Sequence, residues 1–148
     1  MKIEYLCDEM QHAPTVTRWV FDEWVRHRVP NMTYKQLLER IPNCHKDKLP
    51  VCLVAVVDCK CVGTIALVEN DLKGKEYTPW LAALYVDPSF RNQGIGMQLA
   101  ERLLEVAKEF GCKELYLRTE TAGDYFRKLG WEFVESCNGS AILKRKLP

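Results

Sequence analysis

Hydrophobic and polar positions recur with two different periods along the chain, and the two periods predict strands and helices in turn. Residues 2–6 alternate as a short strand does, whereas apolar side chains between 15 and 29 recur at helical spacing. Pro30 ends this first helix, and Thr33 is typical of the residue that caps a second helix, over 34–40. The first forty residues therefore predict one strand followed by two helices.

The rest of the chain continues to alternate between strand and helix patterns. Apolar β-type runs predict strands at 51–57, 61–69, 80–86, 114–118, 131–136 and 141–147. Helical spacing predicts two further helices, at 95–110 and 122–129, each followed by a glycine suited to a helix end. The order β-α-α-β-β-β-α-β-α-β-β predicts a single α/β domain over residues 1–148, of the α+β type with a mixed sheet.

Composition and charge narrow the classes of function. The chain has 148 residues, and 21 Lys and Arg stand against 20 Asp and Glu, so its net charge of +1 indicates no general nucleic-acid binding. No apolar run approaches the ~20 residues of a membrane-spanning helix, and the N-terminus lacks an apolar signal core. Seven cysteines, an odd number, are typical of reduced thiols, and one Cys-x-Cys pair lacks a second pair of metal ligands. We therefore expect a cytoplasmic protein that binds no nucleic acid, membrane or metal.

The start of the helix at 95–110 carries the clearest chemical signal. The first turn of a helix has unpaired N–H groups and a positive dipole end, so it attracts anions. Two glycines let an anion approach this backbone closely, and a nearby arginine adds a cationic side chain. The pattern predicts a phosphate or pyrophosphate site, and it fits neither a Walker A loop nor a Rossmann fingerprint. Its members are Arg91, Asn92, Gln93, Gly94, Ile95 and Gly96.

Two segments resemble a known family. LYVDPSFRNQGIG (84–96) is similar to motif A of the GNAT acetyltransferase superfamily, and YFRKLGWEFV (125–134) is similar to its motif B. The predicted order of elements matches that family over nearly the whole chain. The resemblance implies acetyl-coenzyme A (acetyl-CoA) as the acetyl donor, with its pyrophosphate on the backbone N–H groups of residues 91–96. It also implies that the pantetheine arm pairs with Leu84, Tyr85 and Val86, where this strand splays from the next.

Acetyl transfer to an amine requires proton transfers for which the sequence offers few candidates. Deprotonating an alkylammonium at pH 7 costs about 4 kcal/mol, so a base or a desolvating pocket must assist. Glu69 and Glu120 are the candidate bases, each acting through water. The family often uses a motif B tyrosine as the acid, but this chain has Phe126 at that position. We predict that Tyr125 is the acid and that Phe126 contacts the cofactor, while unassisted departure of the thiolate stays open.

These features favour an N-acetyltransferase that moves the acetyl group of acetyl-CoA to a primary amine of a small molecule. Aromatic rings suit a cationic amine, and the chain supplies Trp19, Phe21, Trp24, Trp80 and Tyr85. Three alternatives stay open: a coenzyme A-binding regulatory module without turnover, a protein or peptide N-acetyltransferase, and a phosphate-binding domain with unrelated chemistry. A homodimer is left open as well.

Overall fold

A seven-stranded mixed sheet forms the centre of the computed structural model, which describes residues 1–148 apart from the side chain of Pro42. The strands are β1 (Lys2–Tyr5), β2 (Val51–Val57), β3 (Lys60–Val68), β4 (Trp80–Val86), β5 (Glu114–Thr119), β6 (Glu132–Cys137) and β7 (Ser140–Lys146). Their spatial order is β1-β2-β3-β4-β5-β7-β6, and only β4 and β5 run parallel. Each strand lies within one residue of its predicted bounds, so the predicted mixed sheet is confirmed.

Helices cover both faces of this sheet. They are α1 (Ala13–Val20), α2 (Arg26–Arg28), α3 (Tyr34–Arg40), α4 (Ile95–Glu109) and α5 (Gly123–Lys128). A π-helical turn over Phe21–Val25 joins α1 to α2. The sequence predicted a single uninterrupted helix here, without this turn. Thr33 caps α3 as predicted: its hydroxyl accepts from the Gln36 N–H at 3.1 Å, and the Gln36 side chain accepts from the Thr33 N–H at 2.9 Å.

The core has a layer on each side of the sheet because side chains alternate along the strands. Leu99 and Leu103 of α4 are fully buried against one face, together with Leu53 of β2. On the other face, Val16 of α1 packs against Val54 of β2. Complete burial of each such side chain contributes about 1.5–3 kcal/mol. Packing on both faces therefore stabilises the central strands, including β4.

The described part of the chain contains no helix with the length and apolar character needed to cross a bilayer. In the same residues, no three metal-ligating side chains lie close enough together to hold a metal ion. All seven cysteine thiols are free.

Candidate functional site

Strands β4 and β5 part soon after they begin. Their parallel register pairs Trp80 with Tyr116, and the Tyr116 N–H donates to the Pro79 carbonyl at 3.0 Å. No further β4–β5 pair is formed in the described residues. The edge of β4 beyond Trp80 therefore has backbone N–H and C=O groups without partners in β5, and an extended ligand can pair with such an edge.

A cavity of about 1010 Å³ occupies the gap between the two strands. Its walls come from β4 (81–84), the end of β5 with the following loop (117–122), α5, the loop after β3, and the helical segment between 20 and 29. Ligand cavities in proteins commonly have volumes of ~300–1000 Å³. This cavity is therefore large enough to take parts of two reactants at once.

A β-bulge in β4 changes which side chains face this cavity. Two residues of β4, Ala83 and Leu84, lie opposite the single residue Ile65 of β3, and Ala83 has a φ of 54°. The extra residue reverses the alternation of side chains along the strand. Leu84 therefore packs into the core on the α4 side, and the Tyr85 ring lies 5.1 Å from the Trp19 ring on the opposite face.

The turn before α4 leaves its first N–H groups available. Asn92 (φ 64°) and Gly94 (φ 81°) adopt left-handed backbone, and no side chain caps the helix at Gly94. Glycine tolerates this conformation at Gly94 far better than other residues do. Gly96 is different, since a Cβ there would lie 3.7 Å from Val86, an ordinary contact. Neither packing nor backbone strain requires a glycine at 96, and a ligand close to the backbone would explain it.

Arg91 lies beside this helix end. Its Nε donates to the Val86 carbonyl at 2.9 Å, and its guanidinium carbon is 5.2 Å from the centre of the Tyr85 ring. Arg91 also lines the cavity. Arg91 therefore places a positive charge on the cavity wall close to the N-terminus of α4. This charge and the helix end both favour an anionic group.

The two aromatic residues of motif B differ in their surroundings. Tyr125 is 50% exposed, whereas Phe126 packs partly into the core, with its ring 6.1 Å from that of Trp131. Both residues line the cavity. Of the two residues, Tyr125 is therefore the one in contact with solvent. Phe126 contributes an apolar ring to the cavity wall.

The two candidate bases occupy different places. Glu69 follows β3 as an exposed residue, and the cavity wall includes its neighbours Val68 and Asn70 but not Glu69 itself. Glu120 lines the cavity and forms an ion pair with Arg28 at 3.4 Å. The structure therefore brings Glu120 to the cavity, and Glu69 could act there only through intervening water.

Sequence reasoning missed an ion pair on the cavity wall. The Nε of Arg118, in β5, donates to Oδ2 of Asp71, in the loop after β3, at 3.2 Å. Burial raises the pKa of Asp71 above its usual range, although the guanidinium of Arg118 acts in the opposite direction. In the sequence, Arg118 is only a charged residue at the end of a buried strand, and Asp71 is only an acid in a polar loop. No local pattern indicates that the two side chains meet.

A family model described as "Acetyltransferase (GNAT) family" matches residues 13–131. The chain belongs to the GNAT acetyltransferase family. It is 31% identical over 100 residues to an uncharacterized N-acetyltransferase of Methanocaldococcus jannaschii, a match that covers 65% of this chain and 40% of the relative. It is 29% identical over 97 residues to N-alpha-acetyltransferase 30 of Xenopus laevis, covering 66% of this chain and 33% of that protein. The chain thus spans less than half the length of these relatives.

A solved structure shares the GNAT fold over the whole chain. It is an aminoglycoside 6'-N-acetyltransferase complexed with coenzyme A, with a TM-score of 0.78. The match covers 100% of this chain and 98% of that one, at 16% sequence identity. At 16% identity this similarity establishes the fold alone. It does not identify the acceptor of the present chain.

Proposed function

We propose that this chain is an acetyl-CoA-dependent N-acetyltransferase that transfers the acetyl group to a primary amine of a small molecule. The observation that carries the proposal is the parting of β4 from β5 beside the uncapped first turn of α4. The unpaired strand edge suits the amides of a pantetheine arm, and the helix end suits a pyrophosphate. Acetyl-CoA contains both groups, because its amide-bearing pantetheine arm is joined to the pyrophosphate at one end and to the acetyl thioester at the other.

The cofactor assignments follow these two features. The pyrophosphate would accept hydrogen bonds from the backbone of residues 91–96 and face the guanidinium of Arg91. The pantetheine amides would pair with the backbone of Leu84, Tyr85 and Val86. Gly96 supports this assignment, because a Cβ there would make only an ordinary 3.7 Å contact with Val86, so the protein itself does not require a glycine at this position. Phe126 would form an apolar wall beside the arm.

Bound acetyl-CoA supplies an acetyl group activated as a thioester. A backbone N–H of β4 near the bulge at Ala83 would donate to the carbonyl oxygen as negative charge develops there, which lowers the barrier. The Tyr125 hydroxyl would donate a proton to the departing sulfur, since Tyr125 reaches the cavity and solvent. Glu69, the base predicted with it, would take, through water, the proton that the amine nitrogen loses as the amide forms.

The cavity wall also favours an amine as the second reactant. Trp24 presents an aromatic surface to the cavity, and the neighbouring Glu23 adds a carboxylate. A cation is attracted by both groups. A cytoplasmic location is in keeping with the seven free cysteine thiols. A homodimeric assembly stays a prediction, which a measurement of molecular mass in solution would test.

Acceptors with an α-amino group are a second candidate, favoured by the similarity to N-alpha-acetyltransferase 30, whose name specifies that group. The cavity is broad enough for the end of a peptide as well as for a small amine. The two candidates differ in whether residues beyond the amine contribute to binding, so a comparison of acceptors of different sizes separates them.

Calorimetry with acetyl-CoA, followed by coenzyme A release with four amines, tests the proposal. The panel is kanamycin, putrescine, lysine and a tetrapeptide with a free N-terminus. We expect acetyl-CoA to bind and at least one small amine to turn over. Preference for the tetrapeptide would favour the second candidate. Binding without turnover would favour a coenzyme A-binding module, and absence of binding would refute the proposal.

A further inference from the structure

The Asp71–Arg118 ion pair lies in the same cavity wall as the β-bulge. Trp80 of β4 pairs with Tyr116 of β5, and Arg118 follows Tyr116 by two residues, as Ala82, next to the bulge residue Ala83, follows Trp80. Successive odd or even residues of a strand share one face, so Arg118 also lies on the face of Tyr116. Asp71 reaches the same place from the loop after β3. Both charged residues therefore line the cavity beside the strand edge that is open to a ligand.

The two side chains are less exposed than those of Arg28 and Glu120, the other ion pair of the cavity. The side chain of Arg118 is 19% exposed and that of Asp71 is 28% exposed, whereas Glu120 exposes 63% of its side chain. Arg118 donates to one carboxylate oxygen of Asp71, Oδ2. No described residue donates to Oδ1, and among the described residues no fully buried side-chain oxygen lacks a partner. Oδ1 is therefore not fully buried, and it belongs to a residue that lines the cavity.

The cations around Asp71 stabilise its carboxylate only in part. Burial raises the pKa of this carboxyl, and the cations of Arg118 and Arg28 only partly counter the effect. Arg28 is itself paired with Glu120, and Glu23 offsets the charge of Arg91 on the same cavity wall. An ammonium group that enters the cavity stabilises the Asp71 carboxylate, and the carboxyl with a raised pKa is a better base than an exposed aspartate.

We propose that Asp71 receives the ammonium group of the acceptor and takes its first proton, with Arg118 as the positioning residue; this rests on the proposed function. Oδ1 of Asp71 accepts one proton from the ammonium, leaving a neutral amine. The nitrogen lone pair forms the C–N bond, and the C–S bond breaks with its electrons on sulfur. The second nitrogen proton passes through water to Glu69 as the amide forms. The sulfur gains one proton from Tyr125, and the resulting phenolate takes a proton back from water. Asp71 then returns its proton to water.

The test is the pH profile of kcat/KM for Asp71→Asn, measured with whichever of the four panel amines the wild type acetylates fastest. We expect a 10²- to 10⁴-fold loss, the usual contribution of a positioned base, and disappearance of the fall in rate at acid pH. Binding of acetyl-CoA should be unchanged in the same variant. Asp47→Asn, an exposed loop substitution of the same chemistry, should leave both measurements unchanged.

Arg118→Gln separates positioning from simple structural support. Without the guanidinium, the pKa of Asp71 rises, so the acid limb of the profile should move to higher pH by about one unit or more. Arg118→Lys, which keeps a cation, should restore part of this shift. A loss of activity with an unmoved acid limb would indicate a structural role and overturn the positioning assignment.

Two results would overturn the proposal for Asp71. Asp71→Asn could retain kcat/KM within threefold of wild type, or Glu69→Gln could remove the acid limb in its place. In either case acetyl transfer itself would stand. If the wild type turned over no panel amine, putrescine binding to the coenzyme A-loaded protein would be compared with that of Asp71→Asn, and equal affinity would also overturn it. A wild type that fails to bind acetyl-CoA would instead refute the proposed function.

Discussion

Replacement of Gly96 by alanine should change stability and cofactor affinity in opposite directions. The new Cβ would lie 3.7 Å from Val86, an ordinary contact, and the residue is not in left-handed backbone. Alanine restricts the unfolded chain at such a position and stabilises the protein by about 0.4–1 kcal/mol. For a domain of this size, 1 kcal/mol corresponds to about 2–4 °C in Tm. Thermal unfolding of the ligand-free variant should therefore occur about 1–4 °C higher.

The same methyl group would stand before the N–H groups that we assign to the pyrophosphate. Loss of one hydrogen bond to a charged group costs about 1.5–3 kcal/mol. Because 1.4 kcal/mol corresponds to a factor of ten, the Kd of coenzyme A should rise about 10- to 150-fold. Calorimetric titration with coenzyme A measures this change directly, without any knowledge of the acceptor.

Two other glycines calibrate the experiment. Gly123 also begins a helix and does not line the cavity, and a Cβ added there would meet no atom within 4 Å, so Gly123→Ala should leave coenzyme A binding unchanged. Gly94 has a φ of 81°, so Gly94→Ala should destabilise the fold by about 1–2 kcal/mol. An unchanged Kd in Gly96→Ala, together with a raised Tm, would refute the pyrophosphate assignment.

Two further predictions concern catalysis and stability. Tyr125→Phe should lower kcat about 10-fold or more while leaving coenzyme A affinity unchanged, and an unchanged kcat across pH would contradict the acid role. Hydrogen bonds from Lys75 and Tyr77 lower the pKa of Glu135 below its ordinary value of 4.5. The unfolded chain then binds more protons at acid pH, so stability is lost as the pH falls from about 4.5 through the lowered pKa. Urea unfolding at pH 3–5 should show a weaker pH dependence in Glu135→Gln, and equal slopes would contradict the reasoning.

The sequence predicted the regular elements well because their patterns are local. The capping pair of Thr33 and Gln36 and the continuous apolar run of Val51–Val57 each lie within a few residues. The family resemblance also rests on two continuous segments, and the family match confirms it. The features that shape the cavity are of another kind. The bulge at Ala83 is an irregularity in an ordinary apolar run, with no glycine to mark it.

The missed ion pair illustrates a second limit. Asp71 and Arg118 are 47 positions apart, and only the order of the strands brings their elements together. Neither residue type is unusual where it stands. The sequence points to Glu69 as a base by its place at a strand end, a local criterion that does not determine whether a side chain reaches the cavity. Charged contacts between distant elements therefore required the three-dimensional arrangement.

The π-helical turn over Phe21–Val25 has a consequence for how this protein can diverge. A residue added to a helix turns everything beyond it by about 100°, because a helix has 3.6 residues per turn. The core face of α1 precedes this turn, and Arg28, which lines the cavity, follows it. Deletion of one residue there would rotate Arg28 and Val29 of the cavity wall relative to α1 and leave the packing of Val16 in place. Relatives could thus acquire new acceptors by gain or loss of a single codon, without redesign of the hydrophobic interior.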